Sequence, residues 1–418
     1  MQGEILTIGD ELISGRVLNL NGWYAAGRLT ALGLAITNIT ALGDDPAAIS
    51  AALFVALGRS NFIIVSGGLG TTKDDITVEV VSRLLCCPLE LQEPLLDHIK
   101  AVAAKWRVPW TPALEKLAWL PRGATIINPG GTTAGFTLWY QGKPIFFLPG
   151  VPEEMRMLMD RHVIPFLLNL YPDRPTIARR TLKIFGPTEA WVGDMIGRLD
   201  DELNDVIIGY YPNFPEIHLT ITARDKNPAR AEEVLHQAEQ AIMAQVGAFV
   251  FARDDDTIES VVGDLLKKAG RTLAVAESCT GGLICHRLTG VPGSSAYFER
   301  GLVVYSNRAK EELLGVPHET IVTHGAVSSE TALAMATGVR QASGADVGLA
   351  VTGIAGPDGG TTEKPVGTVY LSLAAAEGAI TELRQFFGRR DQIKILSAHT
   401  ALDWVRRYLT DDSFLHRH

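Results

Sequence analysis

Cysteine is scarce: Cys86, Cys87, Cys279 and Cys285 are the whole complement of 418 residues. They have neither metal-ligand spacing nor a disulfide pattern, which suits a reducing compartment. Positive charge is also short. Lys and Arg number 38 against 47 Asp and Glu, a net charge of −9, and no basic run occurs. Phosphate contacts along a nucleic acid need clustered cations, so that class of partner is not expected. No apolar stretch reaches ~18 residues without a charge or a breaker, so no membrane span is expected. Met1-Gln2-Gly3-Glu4 runs straight into a strand with no signal-peptide pattern, and the cytoplasm is the expected location. Internal repeats and low-complexity runs are absent. What remains is an ordinary globular composition, 46% apolar and 20% charged, on a chain long enough for two or three domains.

The stretch Val275-Ala276-Glu277-Ser278-Cys279-Thr280-Gly281-Gly282 reads as strand, turn and the start of a helix. Free N–H groups converge at a helix N-terminus, so Ser278 and Thr280 stand beside donors suited to an oxyanion or a phosphate. A plain helix cap explains the same local pattern equally well.

Residues 1–170 alternate. Strand patterns at Glu4–Ile8, Ala35–Ile39, Asn61–Ser66 and Pro144–Leu148 are separated by helical patterns, including Leu18–Leu32, Pro46–Leu57 and Pro152–Leu168. This predicts a mainly parallel sheet with helices on both faces and a ligand at the carboxyl ends of its strands. The loops at those ends are Gly9-Asp10-Glu11-Leu12, Gly43-Asp44-Asp45, Gly67 through Asp75, Asn128-Pro129-Gly130-Gly131-Thr132 and Leu148-Pro149-Gly150-Val151-Pro152. Gly67, Gly68 and Gly70 let backbone amides approach an anion, and Thr71 and Thr72 add hydroxyls. Asp74 and Asp75 place carboxylates where a divalent cation bridging phosphate oxygens needs them. Five such loops on one edge predict a phosphorylated-ligand site.

Residues 171–252 read as a small α+β layer, suited to connection or dimerisation. Asn227-Pro228 opens its long helix, and the polar break at Arg253–Thr257 begins a third domain, 253–418. That domain lacks the parts of a Ser-His-Asp hydrolase. Ser278 is not in a Gly-x-Ser-x-Gly motif, and neither His286 nor His324 has a carboxylate at telling spacing. Lys310 follows an apolar strand and lies in the first turn of a helix; both disfavour its charge, which can turn a lysine into a base near neutral pH. An exposed helix lysine fits the same pattern. Cys279 is a rival nucleophile or a small packed residue, and Tyr305 ends its strand where it could bond a reacting hydroxyl or stack on an aromatic ring.

The loop motifs of residues 1–170 (Gly9–Leu12, Gly67–Gly70 with Asp74–Thr77, Leu148–Pro152) resemble the MoaB/MogA-type molybdopterin-binding domain in the form found in the CinA family. Thr71 stands where that pattern has Pro, and Thr133-Ala134 where it has Ala-Pro. The motifs Ala276–Gly282, Gly293-Ser294-Ser295, Tyr305-Ser306-Asn307 with Lys310, His324–Ser328 and Thr352–Gly360 resemble the CinA C-terminal domain, a nicotinamide mononucleotide deamidase. The resemblance covers essentially the whole chain. It implies a three-layer α/β/α N-terminal domain, a small α+β middle domain and a C-terminal α/β domain. It implies ADP-ribose pyrophosphatase activity in the first, dependent on a divalent metal associated with Asp44 and Asp75. Glu11, Gly67, Gly68, Gly70, Thr71, Asp74, Asn128 and Gly150 would bind that substrate. In the third it implies hydrolysis of the nicotinamide mononucleotide amide, without a metal. Ser278 would be the nucleophile, Lys310 its base and Tyr305 an assisting hydroxyl. Thr280, Gly281, Gly282, Ser294, Asn307, Gly353, Ile354, Ala355 and Gly356 would hold the substrate. A homodimer is the expected assembly.

Overall fold

Side chains that alternate along buried strands define the layers. The computed structural model describes residues 1–128, 135–203, 205–411 and 413–416, in two units: Met1–Ala178 with Ala223–Glu233, and Arg179–Thr222 with Val234–His418. In the first unit, β1 (Gln2–Ile8), β2 (Ala35–Leu42), β3 (Phe62–Ser66), β4 (Thr125–Ile126), β5 (Phe136–Tyr140) and β6 (Lys143–Leu148) form one sheet in the order β2-β1-β3-β6-β5-β4. Ile5, Ile64 and Phe146 face one way, against Ala25 and Leu29 of helix α1 (Leu20–Ala31). Leu6, Ile63 and Phe147 face the other, against Ile49 and Leu53 of α2 (Pro46–Arg59). Both faces are covered, which is why β3 is buried at all five positions and carries no polar alternation. The parallel pairing is β2-β1-β3-β6, while β5 and β4 run antiparallel. The expectation of a mainly parallel sheet holds for the four strands that carry the loops. Ile8 pairs with Leu42, Thr7 with Ser66 and Ser66 with Leu148, so Gly9, Gly43, Gly67 and Pro149 follow at one edge. The helix predicted over Pro152–Leu168 is Pro152–Leu158, a π-helical turn Met159–Val163 and Ile164–Leu170 in continuous succession.

Two further sheets lie mostly within the second unit. The first contains β7 (Thr176–Ile184), β8 (Val206–Asn213), β9 (Glu216–Asp225) and β10 (Val250–Arg253) in the order β8-β9-β7-β10. The other contains β11 (Leu273–Glu277), β12 (Phe298–Val303), β13 (Val347–Gly353), β14 (Thr368–Ala374) and β15 (Ala379–Gln385) in the order β12-β11-β13-β14-β15. Leu273, Val275, Leu349 and Leu371 face the helices α3 (Ile258–Ala269) and α6 (Arg390–Thr410). On the opposite face Ala274, Ala276, Ala350 and Ala374 are small, and Met335, Ala336 and Val339 of α5 (Ser329–Ser343) pack on them. Gly348 permits that approach, since a Cβ there would lie 2.2 Å from the Ala336 carbonyl oxygen. Helix α4 (Asn307–Leu314) follows β12 at the carboxyl edge. Among the described residues no helix is long and apolar enough to cross a membrane.

Candidate active site

β11 ends at Glu277, and the chain turns through Gly281 (φ 63°) and Gly282 (φ 93°) into the helix Leu283–Thr289. Both angles are left-handed, the region where a side chain is strained, so the Gly-Gly pair is a geometric requirement. Glu277 governs this turn. It is fully buried, and its carboxylate accepts from the amides of Gly282 (2.9 Å), Ile284 (3.1 Å) and Cys285 (2.8 Å). The helix N-terminus expected to cradle a phosphate or oxyanion is therefore occupied by the protein's own carboxylate, the stabilising sign for a helix dipole. The cap role considered for Ser278 belongs to Glu277. A sequence signal existed: an acidic residue closing the strand, five to eight residues before the first helical amides.

Ser278 is 7% exposed, and its amide donates to the Val351 carbonyl on the neighbouring strand (3.0 Å). Lys310, 1% exposed on α4, donates from Nζ to Ser278 Oγ (3.1 Å), to the Val304 carbonyl (2.9 Å) and to the Tyr305 carbonyl (3.3 Å). Burial among neutral partners lowers the Lys310 pKa below its ordinary value, and Cys279 opposes this weakly. The exposed-lysine reading is excluded by that burial. The rival nucleophile fails on the same ground: burial pushes the Cys279 thiol up to about 12, so it carries no thiolate near neutral pH. His286 is exposed, and exposed His324 lies 3.5 Å from Glu330; neither is bonded to Ser278.

The other residues expected around Ser278 divide. Thr280 is fully buried and its hydroxyl has no hydrogen-bond partner. Gly353, Ile354, Ala355 and Gly356 continue from β13, the strand beside β11, so they leave the sheet at the same edge. Asn307 begins α4, exposed, after Ser306 caps the helix by accepting from the Ala309 amide (3.1 Å). Tyr305 contributes its carbonyl to Lys310, but its side chain is 62% exposed and its hydroxyl accepts from Arg390 Nη2 (3.1 Å). An assisting bond from Tyr305 Oη to Ser278 is not what the geometry shows. Ser294 precedes β12, whose first residue Phe298 pairs with Leu273 at the start of β11, so it lies at the opposite edge from Ser278.

One cation was not anticipated. Arg390, the first residue of α6, bridges the Tyr305 hydroxyl and the Gly356 carbonyl (2.6 Å), and Lys394 one turn later points toward Gly281, whose Cβ would sit 3.6 Å from its Nζ. No spacing rule links position 390 to position 278; only the return of the last helix beneath the turn brings them together.

In the first unit a cleft of about 280 Å³ is lined by Glu11, Asp44, the Gly67–Gly70 loop, Asp74, Asp75 and Gly150, among others. Gly67 and Gly68 have φ of 108° and 67°, and a Cβ would lie 2.1 Å from the Ile8 carbonyl or the Thr77 hydroxyl respectively. Thr71 and Asn128 do not line this cleft, and Gly130, Gly131 and Thr132 lie outside the described residues. Asp44 and the Asp10 loop exchange bonds, Asp10 N–H to Asp44 Oδ2 (3.0 Å) and Asp44 N–H to Asp10 Oδ1 (3.1 Å). Burial raises the Asp44 carboxyl above its usual range, the Asp10 amide works against this, and the charges of Asp10, Asp74 and Glu11 add to it. Asp75 instead accepts from the Thr72 amide (2.8 Å) and hydroxyl. Among the described residues no three His, Cys, Asp or Glu side chains are grouped to hold a metal ion. Carboxylate oxygens still suit a hard divalent cation that completes its shell with phosphate oxygens and water.

Three family models match in succession: a probable molybdopterin binding domain over residues 4–169, the KH domain of the damage-inducible protein CinA over 179–252, and the CinA C-terminal domain over 255–409. A CinA-like protein of Desulfotalea psychrophila is 46% identical over 413 residues, 99% of this chain and 100% of that protein. One from Syntrophus aciditrophicus is 44% identical over 98% of both chains. The crystal structure of a competence/damage inducible protein from Agrobacterium tumefaciens is 43% identical, covering 37% of this chain and 96% of its own, with a TM-score of 0.35. With full-length similarity at that level and all three models in order, the chain belongs to the CinA-like protein family.

Proposed function

We propose that the C-terminal domain is an amidohydrolase that converts nicotinamide mononucleotide to nicotinic acid mononucleotide and ammonia through a Ser278–Lys310 dyad. The single observation that carries this is the 3.1 Å bond from a buried lysine to a buried serine hydroxyl with no competing carboxylate on the lysine. Lys310 in its neutral form takes the proton of Ser278 Oγ as oxygen bonds to the carboxamide carbon. The amides of Ser278, Gly281 and Leu283 are committed to backbone carbonyls and those of Gly282, Ile284 and Cys285 to Glu277. The amides of Cys279 and Thr280 are thus the donors of this turn left for the developing oxyanion. Lys310 returns the proton to the leaving nitrogen as the C–N bond breaks. Water then attacks the acyl carbon as Lys310 takes its proton, the acyl–Oγ bond breaks, and Lys310 returns that proton to Ser278 Oγ as nicotinic acid mononucleotide leaves. Arg390 and Lys394 supply the positive charge that a ribose phosphate would meet. Ammonia release from nicotinamide mononucleotide is the test: full activity in Ser278→Ala or in Lys310→Ala rejects the dyad.

For the N-terminal domain the reading is hydrolysis of ADP-ribose to AMP and ribose 5-phosphate, supported by the glycine loop and carboxylates around one cleft. Asp44 and Asp75 would hold a divalent cation, which would neutralise pyrophosphate charge. The loop amides around Gly67–Gly70 would hold the phosphates. The alternative is a pterin- or nucleotide-binding module without turnover. Full-length protein given ADP-ribose with each of several divalent metals separates them: no AMP with any metal favours the module.

A further inference from the structure

On the face of the first sheet that carries Phe146, strands β4 and β5 open onto a groove of about 430 Å³ beside the helix Ile164–Leu170. It shares no lining residue with the Gly67–Gly70 cleft. Trp139 in its wall pairs with Pro144 at the start of β6, toward the edge opposite the glycine loops. Phe146 is buried and meets Phe166 edge to face (centroids 5.6 Å apart, 77°), and Phe166 packs on Trp139 (6.1 Å). Trp139 and Phe166 nevertheless keep 49% and 41% of their surface exposed, an aromatic patch left against water. The polar part of the lining is one-sided: Arg161 and His162 enter it and no carboxylate does, on a chain whose net charge is −9. Asp160, next to Arg161 in the chain, accepts instead from Arg28 Nε (3.1 Å) and the Tyr24 hydroxyl (2.6 Å). Arg161 has no ion pair or hydrogen bond among the described residues. It sits with His162 on the π-helical turn, where Met159 and Val163 are buried and the two polar residues between them are exposed. Turns of this kind are rare in helices and recur at functional sites.

We propose that this groove binds a planar aromatic carboxylate, its ring against Trp139 and Phe166 and its carboxylate on Arg161. Aromatic walls suit the faces and edges of a flat ring. A guanidinium presents paired N–H donors that match the two oxygens of a carboxylate. A volume of about 430 Å³ lies within the range of small-molecule sites. A larger cleft of about 460 Å³ beside Trp119 competes for the same role. Glu79 and Glu115 line that one, and its Lys116 is already paired with Glu79 (3.2 Å), so an anion is disfavoured there.

Titration of the full chain with 2-naphthoate and 2-naphthamide tests this, because the two share a ring system and differ in charge. 2-Naphthoate is expected to bind at least about tenfold tighter, the worth of a charge-assisted bond, and Arg161→Gln to abolish that preference. Trp139→Ala is expected to weaken both compounds by about threefold or more. Arg161 is exposed, so its variant keeps the test sound if Trp139→Ala fails to fold. Arg390 in the C-terminal domain offers the same charge to 2-naphthoate, and binding there is untouched by either substitution. Equal affinity for the two compounds, or a preference that Arg161→Gln leaves intact, overturns the inference. A preference removed by Arg390→Ala instead also overturns it. If a second copy of the chain fills the groove, neither compound binds and the dimer seen in sedimentation velocity is dissociated by Trp139→Asp, which overturns the inference as well.

Discussion

Lys310 Nζ lies 3.1 Å from Ser278 Oγ although 32 residues separate them in the chain. The serine directly follows one strand, the lysine sits one turn into the helix that follows the adjacent parallel strand, and both are buried. A base in this setting is useful only when neutral, and burial favours that form.

The rate of amide hydrolysis should therefore rise with pH and level off, with a midpoint below the ordinary lysine value of 10.5. The ionisation belongs to Lys310, so Lys310→Arg should remove it along with at least about a thousandfold of kcat. A pH–rate profile of kcat/KM checks this; an unchanged limb in an active variant would assign the base elsewhere.

Arg390 faces the site from α6 and makes no ion pair with a carboxylate among its described bonds. Replacing it by Ala should raise KM for nicotinamide mononucleotide by roughly 10- to 100-fold, the range of a charge-assisted bond. It should have little effect on the unphosphorylated nucleoside. Steady-state kinetics with both substrates separates phosphate recognition from general damage.

Glu277→Ala would strip the partner from three helix amides and leave a buried gap. Unpaired buried donors cost ~1–3 kcal/mol each, so a loss of about 3 kcal/mol or more is expected. In a domain of this size that lowers Tm by roughly 6–12 °C, measurable by calorimetry, with loss of activity because the nucleophile turn is no longer held.

His399 is fully buried on α6 between the rings of Phe185 and Phe251, and neither ring nitrogen has a hydrogen-bond partner. Glu216 is 3.6 Å away and would favour the cation. Burial, reinforced by Arg287 and Arg406, outweighs it and lowers the pKa from 6.5 to about 3. The unfolded chain takes up this proton below about pH 6.5 and the folded one does not, so stability is present above that pH and lost as pH falls toward 3. Between pH 7 and pH 5 the loss is roughly 2 kcal/mol. Denaturant titrations of wild type and His399→Leu should diverge over that interval, the variant being the less acid-sensitive.

The N-terminal cleft has its own sensitive position. Gly68→Ala would force a side chain into a left-handed residue and against Thr77 Oγ1. Affinity for ADP-ribose should fall at least about tenfold while ammonia release by the C-terminal domain persists. Parallel binding and activity assays on one preparation would show whether the two sites are independently affected.

Much of the frame was legible in the chain itself. Buried runs such as Phe62–Ser66, helical stretches between them and glycine loops after them specify local conformation, because strand burial, helix periodicity and left-handed turns depend on residues close in sequence. Ser278 at a strand end and Lys310 in a first turn were readable in the same way. The antiparallel strand Phe136–Tyr140 was not, since its place is set by its partner Lys143–Leu148.

By itself, the sequence determined the alternating α/β elements, the glycine turns and the residue types offered at the carboxyl edges. Tertiary structure decided who meets whom. It gave the helix N-terminus to Glu277, turned Tyr305 toward Arg390, carried Ser294 to the far edge and left Asn21 Oδ1 without a donor. Those outcomes depend on strand register and on the return of helix α6, which bring together groups separated by up to 129 residues, as Asn21 and Gly150 are. Burial then lowered the pKa of Lys310 and raised that of Cys279, because the cost of a charge depends on the surrounding packing rather than on neighbours in the chain.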